Sequence, residues 1–332
     1  MPRFGRYSSM KTPDCVFVFF FFVVFWIGCD QPFNPKAPFQ ERLVVFSILS
    51  NDRDKQFVRL SSNYVVSAFD PSENQTDRIV TGARVTITES SNAFVLRDTL
   101  LPRPDTSRFT SPIGAYVASP FRAQPGKRYN LVATSEKLGT ASATVIPPDL
   151  PVITLNPGPL VLEQPDLFQK KSQFDLVALL SPLCKGYHCQ VFVDYQVLLE
   201  SGWKDERVEV PTAIVVDTVG LYVVTYPELR RVQTRQTGTT YVHQAYVSTL
   251  VKVLDRYPRK PVTFRRVVLR ILQCEQNVYN YYNTVNEFRD PVSVRLDEPD
   301  YSNVSGGWGM FGAYTLDSLT YTLPPDFTLN WR

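Results

Sequence analysis

The chain has 332 residues, with 35 Lys and Arg against 32 Asp and Glu, and 13% of it is aromatic. No basic block stands out, so nucleic acid is not an expected partner. A folded part of about three hundred residues suggests two domains. Plentiful Phe, Tyr, Val and Thr with scarce helical periodicity predict a mainly β protein.

The first element is the apolar run Cys15 to Ile27, thirteen residues preceded by Arg3, Arg6 and Lys11 against the single acid Asp14. A membrane-spanning helix needs about twenty residues, so this length and flank read as a signal-peptide h-region behind a positive n-region. The run ends on Trp26-Ile27-Gly28-Cys29. Glycine directly before cysteine resembles the lipobox of bacterial lipoproteins, with Trp26 where leucine is usual. That resemblance implies removal of residues 1–28 and lipidation of Cys29 as the first mature residue. Residues 1–28 hold three bases and one acid, so the remainder carries 32 bases and 31 acids, close to neutral. Residues 29–41 follow with Pro32, Pro35 and Pro38 and no hydrophobic period. Such a proline-rich segment is extended and serves as a tether.

From residue 42 the pattern becomes that of strands. "RLVVFSILS" (42–50) is a buried strand candidate, "QFVRLSSNY" (56–64) the next, and "GARVTITES" alternates with Ala83, Val85 and Ile87 on one face. "AFVLRDTL", "RYNLVATS" and "TASATVIPP" complete an expected β-sandwich over 42–146. Residues 147–153, with three prolines from Pro147 to Pro151, read as a linker. A second β-rich, sandwich-like domain is expected over 154–332. In "QVFVDYQVLLE" Val191, Val193, Tyr195, Val197 and Leu199 share a face, and "YVHQAYVSTLVKVLDRY" and "VTFRRVVLRILQC" read as further long strands. The period changes only near 275–288, where Val278, Tyr281, Tyr282 and Val285 fall at helical spacing. A glycine-rich loop (Gly306, Gly307, Trp308, Gly309, Phe311, Gly312) and two short strands are expected to end the chain.

Early "ERLVVFSILS", the "GARVTIT" strand, the "PGKRYNLVAT" turn and strand, and later "VYNYYNTV" and "YSNVSGGWGMFGAY" resemble, in that order, an uncharacterised lipoprotein family of Bacteroidota. It is catalogued as domain of unknown function 4249. The resemblance implies an outer-membrane lipoprotein with an Ig-like or transthyretin-like N-terminal domain over 42–146, of a kind whose genes often lie beside those of TonB-dependent receptors, and with it an accessory role in uptake. It supplies no catalytic residues.

Chemistry-bearing motifs are few. "GWGMFG" matches G-x-G-x-x-G, but the dinucleotide fingerprint needs a strand before it and a helix after it, and "AYTLDSLTYTL" alternates like a strand. Its glycines read as architectural, with Trp308 and Phe311 as anchors, and the loop as part of a docking surface. No cofactor is expected. The two histidines, His188 and His243, offer little for a hydrolase, and His243 falls in a strand pattern. "CKGYHC" places Cys184 and Cys189 at hairpin distance, which favours a local disulfide and leaves Cys274 as a buried thiol. Free thiols are one alternative. Zinc through Cys184, His188 and Cys189 is another, although zinc commonly takes four ligands. The acids Asp70, Glu73 and Asp77, and Asp297, Glu298 and Asp300, read as solvated loops. The expectation is a non-enzymatic binding or accessory lipoprotein of the outer membrane, its ligand unknown. A structural or adhesive envelope lipoprotein without a small-molecule ligand is the alternative.

Overall fold

Leu43, Val45 and Leu49 point into one core, while Phe46 and Ile48 on the opposite side of the same strand pack in another. That two-sided burial is why "LVVFSIL" is apolar at nearly every position. The computed structural model describes residues 39–64, 76–107, 109–168, 172–216, 222–287 and 301–327. The expected signal peptide, Cys29 and most of the tether lie outside them.

The protein is mainly β. The first half contributes β1 (Leu43–Ser50), β2 (Gln56–Ser62), β3 (Arg84–Glu89), β4 (Asn92–Leu101), β5 (Ile113–Ala118), β6 (Tyr129–Ser135) and β7 (Gly139–Val145). β4 is shared between two layers: its first residues pair with β3 and its last with β5. One layer therefore runs through β1, β2, β5 and the end of β4, the other through its start, β3, β6 and β7. Between them lie Val45, Val58, Leu60 and Tyr116 on one side and Val85, Ile87, Leu131 and Ala141 on the other. The period of two in "RVTITE" is the signature of this arrangement, with Val85 and Ile87 inside.

The second half comprises β8 (Val152–Asn156), a four-residue α1 (Leu160–Glu163), β9 (Gln173–Leu179), β10 (Gly186–Leu199), β11 (Gly202–Val210), β12 (Ala213–Val216), β13 (Tyr222–Thr225), β14 (Arg230–Arg231) and β15 (Gln236–Val242). It continues with α2 (His243–Arg256), β16 (Val262–Cys274), α3 (Gln276–Glu287) and β17 (Trp308–Thr322). β8, β9 and β15 form a small antiparallel sheet. Phe174, Leu176 and Tyr241 from that sheet share a core with Val191, Val193 and Tyr195 of β10 and Val267, Leu269 and Ile271 of β16. Tyr246, Leu250 and Val253 of α2 enter the same core.

Two expectations need correction. "YVHQAYVSTLVKVLDRY" is not one strand: it turns from β15 into α2 at His243. Its many β-branched residues argue for a strand, yet Tyr246, Leu250 and Val253 recur at helical spacing and all are buried. Burial of that stripe outweighs propensity. The glycine-rich segment is not a loop before two short strands: only Gly306 and Gly307 form a turn, and from Trp308 on it belongs to a single fifteen-residue strand, β17. Both halves lie within one compact unit, Glu41–Arg332.

The joint is β17. Its first residues, Trp308 to Tyr314, pair in parallel with β1, and its last, Tyr314 to Thr322, pair antiparallel with β16. Phe311 and Ala313 thereby enter the first core and Leu319 and Tyr321 the second. The linker is fastened to the second half by the buried side chain of Gln273. Its Nε2 donates to Asp149 O at 2.7 Å, and its Oε1 accepts from Ser181 N at 2.8 Å.

Candidate functional site

One face of the sheet formed by β10, β16, β17 and β1 carries both candidate regions. By register it is lined by Phe46 and Ile48, Met310 and Gly312, Leu272, then Arg270, Asp194, Arg266 and Thr322. α3 covers the first end. The second end is open.

At the covered end the glycines let main chains approach. Gly309 has φ +110°, and a Cβ there would collide with the Val45 carbonyl. Gly306, with φ +76°, would meet the carbonyl of Thr140 in the same way. These are positions where only glycine fits without backbone movement. At Gly312 the constraint is packing: a Cβ would run into Val278 of α3. Phe311 is fully buried, whereas Trp308 is 44% exposed. Of the two expected anchors, then, Phe311 is the one in the core. Asn303 holds the strand entry by accepting from Phe311 N at 2.9 Å and donating to Phe311 O at 2.8 Å.

Glu275 joins helix to strand. Its carboxylate accepts from Asn277 N at 2.7 Å, Val278 N at 3.1 Å and Ala313 N at 3.2 Å. It caps the first turn of α3, whose leading N–H groups have no partner within the helix. Burial raises the Glu275 carboxyl above its ordinary value, and the three N–H donors oppose that rise. Around it Val278 is buried, Tyr281 packs on Phe46 with ring centroids 5.2 Å apart, and Tyr282 is exposed. Val285 lies beyond the described side chains.

The open end is a groove of about 780 Å³ lined by Asp194, Gln196, Asp205, Arg207, Arg265 and Arg266 among others. Asp194 accepts from Arg207 Nε at 2.5 Å and Nη2 at 2.9 Å, and from Arg266 Nε at 2.7 Å. Burial would raise its carboxyl, but the hydrogen bonds and charges of Arg207 and Arg266 prevail and hold it below the ordinary value. The pairing register shifts here: Asp194 faces Arg266 while Tyr195 faces Phe264, leaving Arg265 as the extra residue of a bulge. A bulge re-aims side chains, and it leaves both adjacent arginines exposed. Beyond it Arg270 stacks over Phe192 at 4.5 Å and bonds Gln190 at 3.1 Å. Sequence reading passed over this groove. Its signal was the doubled Arg265-Arg266, which breaks the period of two inside an otherwise alternating strand.

The other sequence candidates fall elsewhere. Cys184, Cys189 and Cys274 are all buried, and each is a free thiol in this structure. Burial pushes the Cys184 thiol up to about 12, and Cys189 and Cys274 rise for the same reason. His188 is held on Pro227 O at 2.9 Å. His243 is buried on Val161 O at 3.2 Å, and that burial lowers its basicity. Among the described residues no three His, Cys, Asp or Glu side chains gather as a metal site. Asp77 is not in a solvated loop: its side chain is buried between Arg59, at 2.7 Å, and Arg103. Asp70, Glu73, Asp297, Glu298 and Asp300 lie outside the described residues.

Fold and site together define a mainly β protein of two sandwiches joined through one strand, with a charged groove on the outer sheet face. The chain belongs to the family described as Domain of unknown function (DUF4249), whose model matches residues 30–320. No curated protein matches it. Among solved structures it is similar to the C-terminal globular domain of an oligosaccharyltransferase from Pyrococcus abyssi, with 9% identity and a TM-score of 0.22. That match covers 85% of this chain and 47% of the other, so this chain spans about half the length of that relative.

Proposed function

We propose that the protein is a non-enzymatic lipoprotein of the outer membrane, anchored through Cys29 and acting as a binding or accessory component beside a TonB-dependent transporter. The observation that carries the binding role is the groove at Asp194, Arg207, Arg265 and Arg266. It is wide, charged and built on rigid strands, with one carboxylate already neutralised by two guanidinium groups and Arg265 offered to solvent by the bulge. Such a surface suits recognition of an acidic or polar partner. The groups best suited to nucleophilic or acid–base chemistry serve the fold instead: three thiols are buried and both imidazoles sit on main-chain carbonyls. Gly28-Cys29 after a thirteen-residue apolar run supports the anchor.

The test uses the full chain in detergent-solubilised membranes of the producing cell. The wild-type protein should co-purify with an outer-membrane β-barrel receptor identified by mass spectrometry, and Arg265→Glu should recover it at least tenfold less at an unchanged melting temperature. Equal recovery by both proteins, or no receptor with either, would overturn the accessory role in favour of a structural envelope protein. Cys29→Ser should leave an uncleaved precursor or release the protein from membranes. A mature Cys29→Ser protein that still needs detergent would remove the anchor.

A further inference from the structure

Cys184 and Cys274 are far apart in the chain and meet at one carbonyl in the fold. Both Sγ atoms lie 3.2 Å from Gly186 O, so the two sulfurs share an acceptor. The main chains run together there as well. Lys185 N–H donates to Cys274 O at 2.9 Å, and Gly186 is the register partner of Cys274. That pairing brings the end of β16 alongside the turn that carries Cys184. Glycine at 186 leaves room for the Cys274 thiol: a Cβ there would sit 2.8 Å from Cys274 Sγ and 2.5 Å from the ring of Tyr279.

Cys189, the neighbour in sequence, is carried away by the strand. It lies three residues past Gly186, about 10 Å along at the usual rise, where it faces Ile271 and its thiol meets the Thr239 hydroxyl.

We propose that Cys184 and Cys274, not Cys184 and Cys189, are the pair that forms a disulfide when the chain folds in an oxidising compartment. The inference rests on the export reading given above. In the step each thiol loses its proton, the pair gives up two electrons, and an S–S bond forms. The disulfide of a thiol–disulfide oxidoreductase, or oxidised glutathione, takes the electrons and protons and leaves as two thiols. Burial makes the thiolate scarce once the core closes, so the bond forms during folding and afterwards resists exchange. It ties the turn before β10 to the end of β16, beside Glu275 and the start of α3.

Full-length protein is trapped at harvest with N-ethylmaleimide, digested without reductant and mapped by mass spectrometry. A Cys184–Cys274 peptide pair with maleimide on Cys189 is the expected result. In Cys274→Ser, Cys184 should carry maleimide and form no bond to Cys189. The same full-length chain, reduced and then refolded in a glutathione redox buffer, separates the two premises. A Cys184–Cys274 bond formed there from a protein harvested with three free thiols supports the pairing and sinks the export reading. A Cys184–Cys189 bond in either sample, or no bond between Cys184 and Cys274 in both, overturns the proposal.

Discussion

One face of the main sheet is dry at the β1–β17 end and wet at the β10–β11–β16 end, and the two ends are built on opposite rules. At the covered end β17 lies so close to the Val45 carbonyl at Gly309, and to the Val278 side chain of α3 at Gly312, that glycine is required at both, and the one acid, Glu275, is answered by three main-chain N–H groups. In the groove the side chains stand apart, and the one carboxylate at the centre, Asp194, is answered by two arginines. The difference lies in what each region can lose. A dry junction fails when volume or backbone geometry changes, because nothing else fills the space. An exposed ion pair is partly replaced by water, and its loss is small.

The largest effect should come from the core of the junction. Phe311→Ala removes a fully buried ring from the strand that joins both sandwiches, and such truncations cost about 3–5 kcal/mol. Denaturant unfolding should show the loss. Trp308→Ala, at the exposed start of the same strand, should cost about 1 kcal/mol or less. Similar effects for the two would break the contrast between the buried middle and the exposed start of β17.

Gly309→Ala comes next. It introduces a Cβ at positive φ against the Val45 carbonyl, a strain of about 1–3 kcal/mol. Gly139→Ala provides the control, since its φ is also positive, +78°, but nothing lies within 4 Å of the added Cβ. Thermal unfolding of the two variants separates contact from conformation. Equal destabilisation would mean that the close approach of β17 to β1 contributes nothing.

The smallest effect is the pH dependence, and here the two acids should oppose each other. The Glu275 carboxyl is raised above its ordinary 4.5, so its contribution to stability is complete below that value and is lost as pH rises through the folded pKa. The Asp194 carboxyl is lowered below its ordinary 3.8, so its contribution is present above that value and is lost as pH falls through the folded pKa. Unfolding midpoints measured against pH should therefore flatten on the alkaline side of 4.5 in Glu275→Gln and on the acid side of 3.8 in Asp194→Asn. The glutamine keeps one oxygen for the Val278 and Ala313 N–H groups but turns its amide NH2 toward the Asn277 N–H, donor against donor, so its absolute stability drops while the slope vanishes. Unchanged slopes in both variants would place the two carboxylates in equivalent surroundings.

Much of this fold was legible in the order of residues. The period of two in β3 and β10 fixes which side chains go inward, because adjacent residues of a strand must face opposite ways. The helical spacing of Val278, Tyr281 and Tyr282 marks α3, and the cluster of glycines marks a place where backbone must be bare. α2 was hidden because its β-branched residues suit a strand, and only the arrival of Tyr246, Leu250 and Val253 at a common core reveals the helical stripe. The groove was hidden for a similar reason: Arg265-Arg266 breaks an alternation, but the sequence does not say that Asp194 and Arg207 stand opposite.

What the sequence determined by itself is therefore local: strand periods, the one evident helix, the glycines and the presence of Gly28-Cys29. Tertiary structure decided every partnership between distant residues. It made the glycine-rich segment the strand that joins two sandwiches, set Cys184 against Cys274 and carried Cys189 away, and buried Asp77 between two arginines. The physical reason is that the period of a strand fixes the direction of its side chains, whereas the strand beside it is chosen by burial shared across the whole sheet.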